Sequence, residues 1–198
     1  MRRLAIVLGM LMMAWSAVAQ ESVWQLLGRV AAYMDSEQGY EVQFDVKAAD
    51  FASTGSYRVK GESYHIAVAD AEVYSDGAVK YEVDNAFKEV NIDVVDRTSH
   101  NILDNPTRCF DFVESDYLAE VASRTKDIIT LKIKAKDNSI EGEIYLTVLS
   151  QTAEPTKVEY VLYGERMEVV VKAIDRKSKS VKKFDKSAYK GYEINDFR

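Results

Sequence analysis

The chain has 198 residues and carries 32 acidic against 26 basic side chains, a formal charge of −6. Such a balance lacks the basic face that nucleic acid requires, and the single cysteine, Cys109, excludes an intramolecular disulfide. Two prolines and nine glycines, dispersed singly, mark no flexible linker, and the length suits one domain of roughly 100–200 residues with its own core.

The first nineteen residues, MRRLAIVLGMLMMAWSAVA, set two arginines before an apolar run and close on Ala17-Val18-Ala19. This is the pattern of a cleavable secretory signal peptide, so the protein is expected to be exported, as a single domain over residues 20–198. No later apolar run reaches membrane-spanning length. Taking nineteen residues from 198 leaves 179, and taking two arginines from 26 bases leaves 24 against 32 acids, a charge of −8.

From Ser22 to Ser36 the apolar residues Val23, Leu26, Leu27, Val30, Ala31 and Met34 recur at helical spacing and form one stripe. Ser22 and Gln25 fit a capping box, and Gly39 stands beyond the expected end. Trp24, beside the stripe, is read as a packing residue. A first strand follows, with Tyr40, Val42, Phe44, Val46 and Ala48 alternating with polar residues.

The stretch Gly55 to Val94 reads as a run of short strands with apolar or tyrosyl residues at every second position: Tyr57 and Val59; Tyr64, Ile66 and Val68; Val79, Tyr81 and Val83; Val90, Ile92 and Val94. Period two with polar alternates predicts antiparallel sheet with one apolar face. Asp76-Gly77 and Asp84-Asn85 supply turns.

The pattern then breaks, and Asn105-Pro106 predicts a short helix reaching about Glu114 with Phe110 and Val113 on its apolar side. Periodicity does not choose between helix and strand for Tyr117 to Ala122, which we read as strand. Strands resume at Ile129 to Ile133 and Ile144 to Val148, turning at Asp137-Asn138. Thr156 to Tyr163 and Met167 to Ile174 form a hairpin across Gly164-Glu165. A basic run, Arg176, Lys177, Lys179, Lys182 and Lys183, precedes the ending FDKSAYKGYEINDFR.

Ten or eleven strands with two segregated helices predict an α+β fold. A sheet of that many strands tends to curl, so the expected architecture is an incompletely closed, strongly curved antiparallel β-barrel with the helices over its concave side.

Catalytic signals are absent. His65 lies on the polar side of its strand and His100 in a loop, without metal-ligand spacing, and no nucleophile elbow or phosphate-cradling glycine loop occurs. The acids Asp104, Asp111, Glu114 and Asp116 read as surface groups, and Cys109 as a small buried hydrophobe. The protein is therefore read as neither an enzyme nor a metal or cofactor binder.

The amphipathic N-terminal helix, the segments GSYRVKGESYHI and SDGAVKYEV followed by KEV, the Asn-Pro segment and the ending YKGYEINDFR resemble the periplasmic outer-membrane lipoprotein carrier proteins, the LolA-like family, over nearly the whole mature chain. The family's strand tryptophan is replaced by Tyr81, and its arginine-proline turn by Lys60-Gly61-Glu62. That arginine is associated with a closed lid, and lysine lacks its planar fork of donors. The resemblance implies a half-open barrel and transient binding of lipoprotein acyl chains or other lipid on the way to the outer membrane. Inner-membrane donor and outer-membrane acceptor proteins would then be its partners.

In that reading Tyr57, Val59, Tyr64, Ile66, Tyr81 and Val83 line the cavity, and Val23, Leu26, Leu27, Val30, Met34 and Phe110 form the lid. The same residues also fit a closed core. Lys60, Arg176, Lys177 and Lys179 are candidates for docking on anionic headgroups or an acidic partner. The alternative function is a monomeric binding or sensing module on the same fold that transports nothing.

Overall fold

The structure is a computed structural model that describes residues 21–137, 142–177 and 180–198. The leader reading of residues 1–19, the turn residue Asn138 and Lys179 of the basic run lie outside them.

Helix α1 (Val23–Tyr33) starts at the expected capping box: Gln25 N donates to Ser22 Oγ at 3.1 Å, and Ser22 N donates to Gln25 Oε1 at 2.9 Å. It buries Leu26, Leu27 and Val30 and stops at Met34, short of Ser36. Six strands then form a meander: β1 (Tyr40–Ala48), β2 (Phe51–Lys60), β3 (Ser63–Val68), β4 (Ala71–Ser75), β5 (Val79–Asp84) and β6 (Glu89–Val94). A second meander follows: β7 (Tyr117–Arg124), β8 (Ile128–Ala135), β9 (Gly142–Leu149), β10 (Pro155–Leu162) and β11 (Glu165–Asp175). The last strand is β12 (Glu193–Asp196).

Strand β11 returns antiparallel to β1 and so joins the two meanders into one sheet. Its order is β12-β6-β5-β4-β3-β2-β1-β11-β10-β9-β8-β7, and only the β12–β6 pair is parallel. The expected architecture is corrected here. The sheet has twelve strands and is mixed, open and not strongly curled, where an incompletely closed, purely antiparallel barrel of ten or eleven strands was expected.

Two strands escaped the sequence reading. Strand β4 carries Val73 and Tyr74 side by side on opposite faces, which hides its period, and β12 has four residues in a tail.

The second helix is also corrected. Residues 100–116 are a chain of turns, and α1 is the one α-helix among the described residues. Short polar side chains take the backbone and one another as partners there: Asn105 Nδ2 donates to Asp96 O at 3.0 Å, and Thr107 Oγ1 donates to Asn105 Oδ1 at 2.6 Å. Such local bonds compete with a helical ladder, so the proline at a plausible first turn is not followed by a helix.

Register decides which residues share a face. Tyr57 pairs with Ile66 and Val59 with Tyr64, so these four share what we call the inner face. Tyr64 pairs with Ser75 and Ile66 with Val73, which keeps those two inside. Tyr74, however, pairs with His65 and then with Tyr81, while Tyr81 pairs with Ile92 and Val83 with Val90. Tyr74, Tyr81, Val83, Val90 and Ile92 therefore lie on the outer face.

Each apolar face has its own cover. Helix α1 and the turn segment, through Ile102, Cys109, Phe110 and Phe112, bury the inner face of β1–β3 and β8–β11. The tail, through Phe184, Tyr189, Tyr192 and Ile194, covers the outer face of β4–β6. A sheet whose apolar surface changes face along its width gains nothing by closing on itself, since each half is sheltered by a different end of the chain.

Candidate functional site: the covered inner face

The inner face starts from the alternation of β1, β2 and β3. Phe44 and Tyr40 pack on Tyr57 with ring centroids 6.0 Å and 6.1 Å apart. Tyr57, Val59, Tyr64 and Ile66 are all essentially inaccessible, at 1%, 0%, 0% and 1% exposure. Leu26, Leu27, Val30, Met34 and Phe110 are buried in the same cluster, with Val23 partly buried against it. The structure thus brings four of the cavity residues together with all the lid residues. It does not bring in Tyr81 and Val83, which pack with the tail on the other side.

Within this apolar interior the hydroxyls of Tyr57 and Tyr64 are buried with weak partners at most, the Cys109 thiol beside Tyr57 and Ser75 beside Tyr64. Burial pushes the Tyr57 phenol well above its usual range, with the Cys109 thiol, a weak partner, beside it. Burial likewise pushes Tyr64 up to about 12, against a smaller opposing pull from Ser75 across the strand pair. Tyr160 is satisfied by contrast: its hydroxyl accepts from Ile102 N at 2.9 Å and donates to His100 O at 3.1 Å.

Polar contacts that the sequence reading missed pin the cover. Tyr33 Oη donates to Glu154 Oε2 at 2.7 Å, Arg29 binds the carbonyl of Gln151, and Arg176 lies 4.4 Å over the Tyr33 ring. Lys80 Nζ donates to Asp104 Oδ1 at 2.9 Å and ties the turn segment to β5. Burial opposes the Lys80 charge, but its bonds to Asp104 and Glu82 outweigh it and raise its pKa. Apart from Lys80–Glu82, none of these pairs is close in sequence, and no periodicity announces them.

The docking candidates do not converge as a group. Lys60 lines a cavity on the outer face, Arg176 sits at the end of α1, and Lys177 is exposed. The Cys109 thiol is not activated: it is buried and its pKa is pushed well up by that burial. Among the described residues no three His, Cys, Asp or Glu side chains are grouped to hold a metal ion. No helix among them is long and apolar enough to cross a membrane.

No family model and no curated protein matches the chain. Among solved structures, an uncharacterized conserved protein from Thermus thermophilus matches 87% of this chain and 98% of its own, with TM-score 0.54 and 7% identity. That likeness establishes a shared fold. MucB is similar over 82% of this chain and 61% of its own, with TM-score 0.46 and 14% identity. A LolA superfamily protein from Nitrosomonas europaea is similar over 84% and 96%, with TM-score 0.40 and 10% identity.

Proposed function

We propose that the protein is an exported, periplasmic carrier that shelters lipoprotein acyl chains, or other lipid, on the inner face of the sheet and ferries them toward the outer membrane. The observation that carries this reading is the pair of deeply buried, poorly satisfied hydroxyls on Tyr57 and Tyr64 in an otherwise apolar interior, with only the Cys109 thiol and Ser75 beside them. Each such group costs about 1–3 kcal/mol. A purely structural core would be served as well by phenylalanine, whereas an acyl ester or amide offers the carbonyl oxygens that these donors lack.

The cover is consistent with entry from one side. It consists of an eleven-residue helix and a non-helical segment, each pinned by a few polar contacts. At about 0.8 kcal/mol per buried CH₂, one long acyl chain gains on the order of 10 kcal/mol, enough to compete with the stripe of α1 for the same surface. Inner-membrane donors and outer-membrane acceptors would load and unload the protein.

A second reading is a binding or sensing module that transports nothing. The complete burial of Tyr57, Val59, Tyr64 and Ile66 favours it, because the inner face is filled by the protein's own side chains. Native mass spectrometry of the mature protein, purified without detergent and then titrated with a diacylated lipopeptide, separates the two. A one-to-one lipopeptide complex supports the carrier. Absence of any complex, with a clean apo mass from the envelope extract, removes the carrier and leaves the module.

A further inference from the structure

A cavity of about 480 Å³ lies on the outer face, beneath the tail. Its apolar wall is Tyr74, Tyr81 and Phe184. Phe184 stacks on Tyr81 with centroids 4.2 Å apart and planes at 7°, so the tail and the sheet build this wall together. The tail is held in place by Lys182 Nζ donating to Glu72 Oε2 at 2.8 Å and by Arg58 Nη1 donating to Ser180 O at 3.1 Å.

The polar wall is unlike the rest of an acidic chain. Lys60 and Lys183, more than a hundred residues apart in sequence, line the same space with Ser63 and Ser180. Ser75, whose side chain belongs to the inner face, borders it at the end of β4, with its hydroxyl accepting from Gly77 N at 2.9 Å. One acid, Asp76, shares the lining, and its Oδ1 already accepts from Ala78 N and Val79 N at 3.0 Å each. Each ammonium carries three N–H donors, so Lys60, which already has an interaction within the protein, and Lys183 still offer donors that with the two hydroxyls match a tetrahedral oxyanion with three or more oxygens.

We propose that this cavity is a binding site for a phosphate ester, with the phosphate between Lys60, Lys183 and the hydroxyls of Ser63 and Ser180 and its organic stem on the Tyr81–Phe184 wall. The phosphate belongs either to a soluble ester or to a phospholipid headgroup. The site lies on the opposite side of the sheet from the acyl-chain reading and does not depend on it.

The test is a titration of the ¹⁵N-labelled mature protein with sn-glycerol 3-phosphate, followed by amide chemical shifts. Saturable shifts are expected at Ser63, Ser75 and Gly77. The Lys60→Gln/Lys183→Gln double variant should weaken binding at least tenfold, and a control double variant, Lys47→Gln/Lys134→Gln, should leave it unchanged. Vesicles of one part phosphatidylglycerol to three parts phosphatidylcholine then separate the sources. If they displace glycerol phosphate the ligand is a headgroup, and if they do not it is a soluble ester. The proposal is overturned if neither probe gives saturable shifts, or if the double variant binds as tightly as the parent.

Discussion

If α1 must leave the inner face before lipid can enter, loosening it should tighten lipid binding even as it weakens the fold. Leu27 is the residue to change: it lies mid-stripe at 2% exposure, between Leu26 and Val30 at 0%, and its side chain belongs to the cover and not to the sheet. Leu27→Ala in a packed interior should cost about 2–5 kcal/mol. The same substitution lowers the cost of lifting the helix. If about 2 kcal/mol of the loss falls on that step, the binding-competent fraction rises roughly 30-fold, and the apparent Kd for an apolar probe falls by the same factor.

Two measurements decide it: urea unfolding for stability and displacement of a fluorescent fatty acid for affinity. The control is Val83→Ala, which opens the buried cluster between the sheet and the tail on the opposite face, away from the cover. It should lose stability without gaining affinity. If Leu27→Ala loses stability while its affinity stays level or falls, the helix is core and not lid, and the carrier reading loses its entry route.

Other consequences are local. Tyr57→Phe should leave stability level or raise it by up to about 1 kcal/mol, since a buried hydroxyl with only the weak Cys109 thiol beside it is removed, yet weaken lipopeptide binding in a calorimetric titration. Gly55→Ala should destabilise by about 1–3 kcal/mol in chemical denaturation, because a Cβ there would sit 2.6 Å from Phe44 Cζ and 2.8 Å from the Ala67 carbonyl. Tyr163→Asn should stabilise by about 0.5–1 kcal/mol, because Tyr163 holds φ at 50° beside Gly164 at 83° in a two-residue hairpin loop, a conformation asparagine tolerates better. Burial alone would raise the Glu72 carboxyl, but its bonds from Lys182, Tyr74 and His65 hold it at about 2 against an ordinary 4.5. Its contribution is therefore complete above about pH 4.5 and lost as pH falls toward 2, and Glu72→Gln should flatten that acid limb of a melting-temperature profile.

The strands were legible one by one because each repeats with period two. Strand β1 was readable from Tyr40 to Ala48, and Tyr117 to Ala122, ambiguous in periodicity, is indeed the body of β7. Alternation says which residues of one strand share a face; it does not say which face of the sheet that is. Tyr64 and Tyr81 look equivalent in sequence, yet the pairing of His65 with Tyr74 and of Tyr74 with Tyr81 puts Tyr81 on the opposite side from Tyr64. The apolar partners of Tyr81 sit about a hundred residues away in Phe184 and Tyr189, in a tail whose aromatic residues carry no helical or strand period of their own.

Strand β4 is where the two halves of the molecule meet, and its composition accounts for the rim of the candidate site. Val73 faces the inner core and Tyr74 the outer cluster, so β4 alone among its neighbours is apolar in both directions. Beyond it the inner face turns polar, with Lys80, Glu82 and Asp84 of β5 continuing the inner rows of Val73 and Ser75. Lipid sheltered inside would meet charge at that point. The Lys80–Asp104 pair closes the same boundary from the cover, so the apolar region available to a ligand extends from β3 through β1 and β11 toward β8 and ends before β5. A ligand that carries a polar head on an apolar tail would therefore place its head near Tyr64 and Lys80 and its tail toward Leu131 and Leu146. That orientation follows from the face change at β4, and would be lost if β5 presented Tyr81 and Val83 inward.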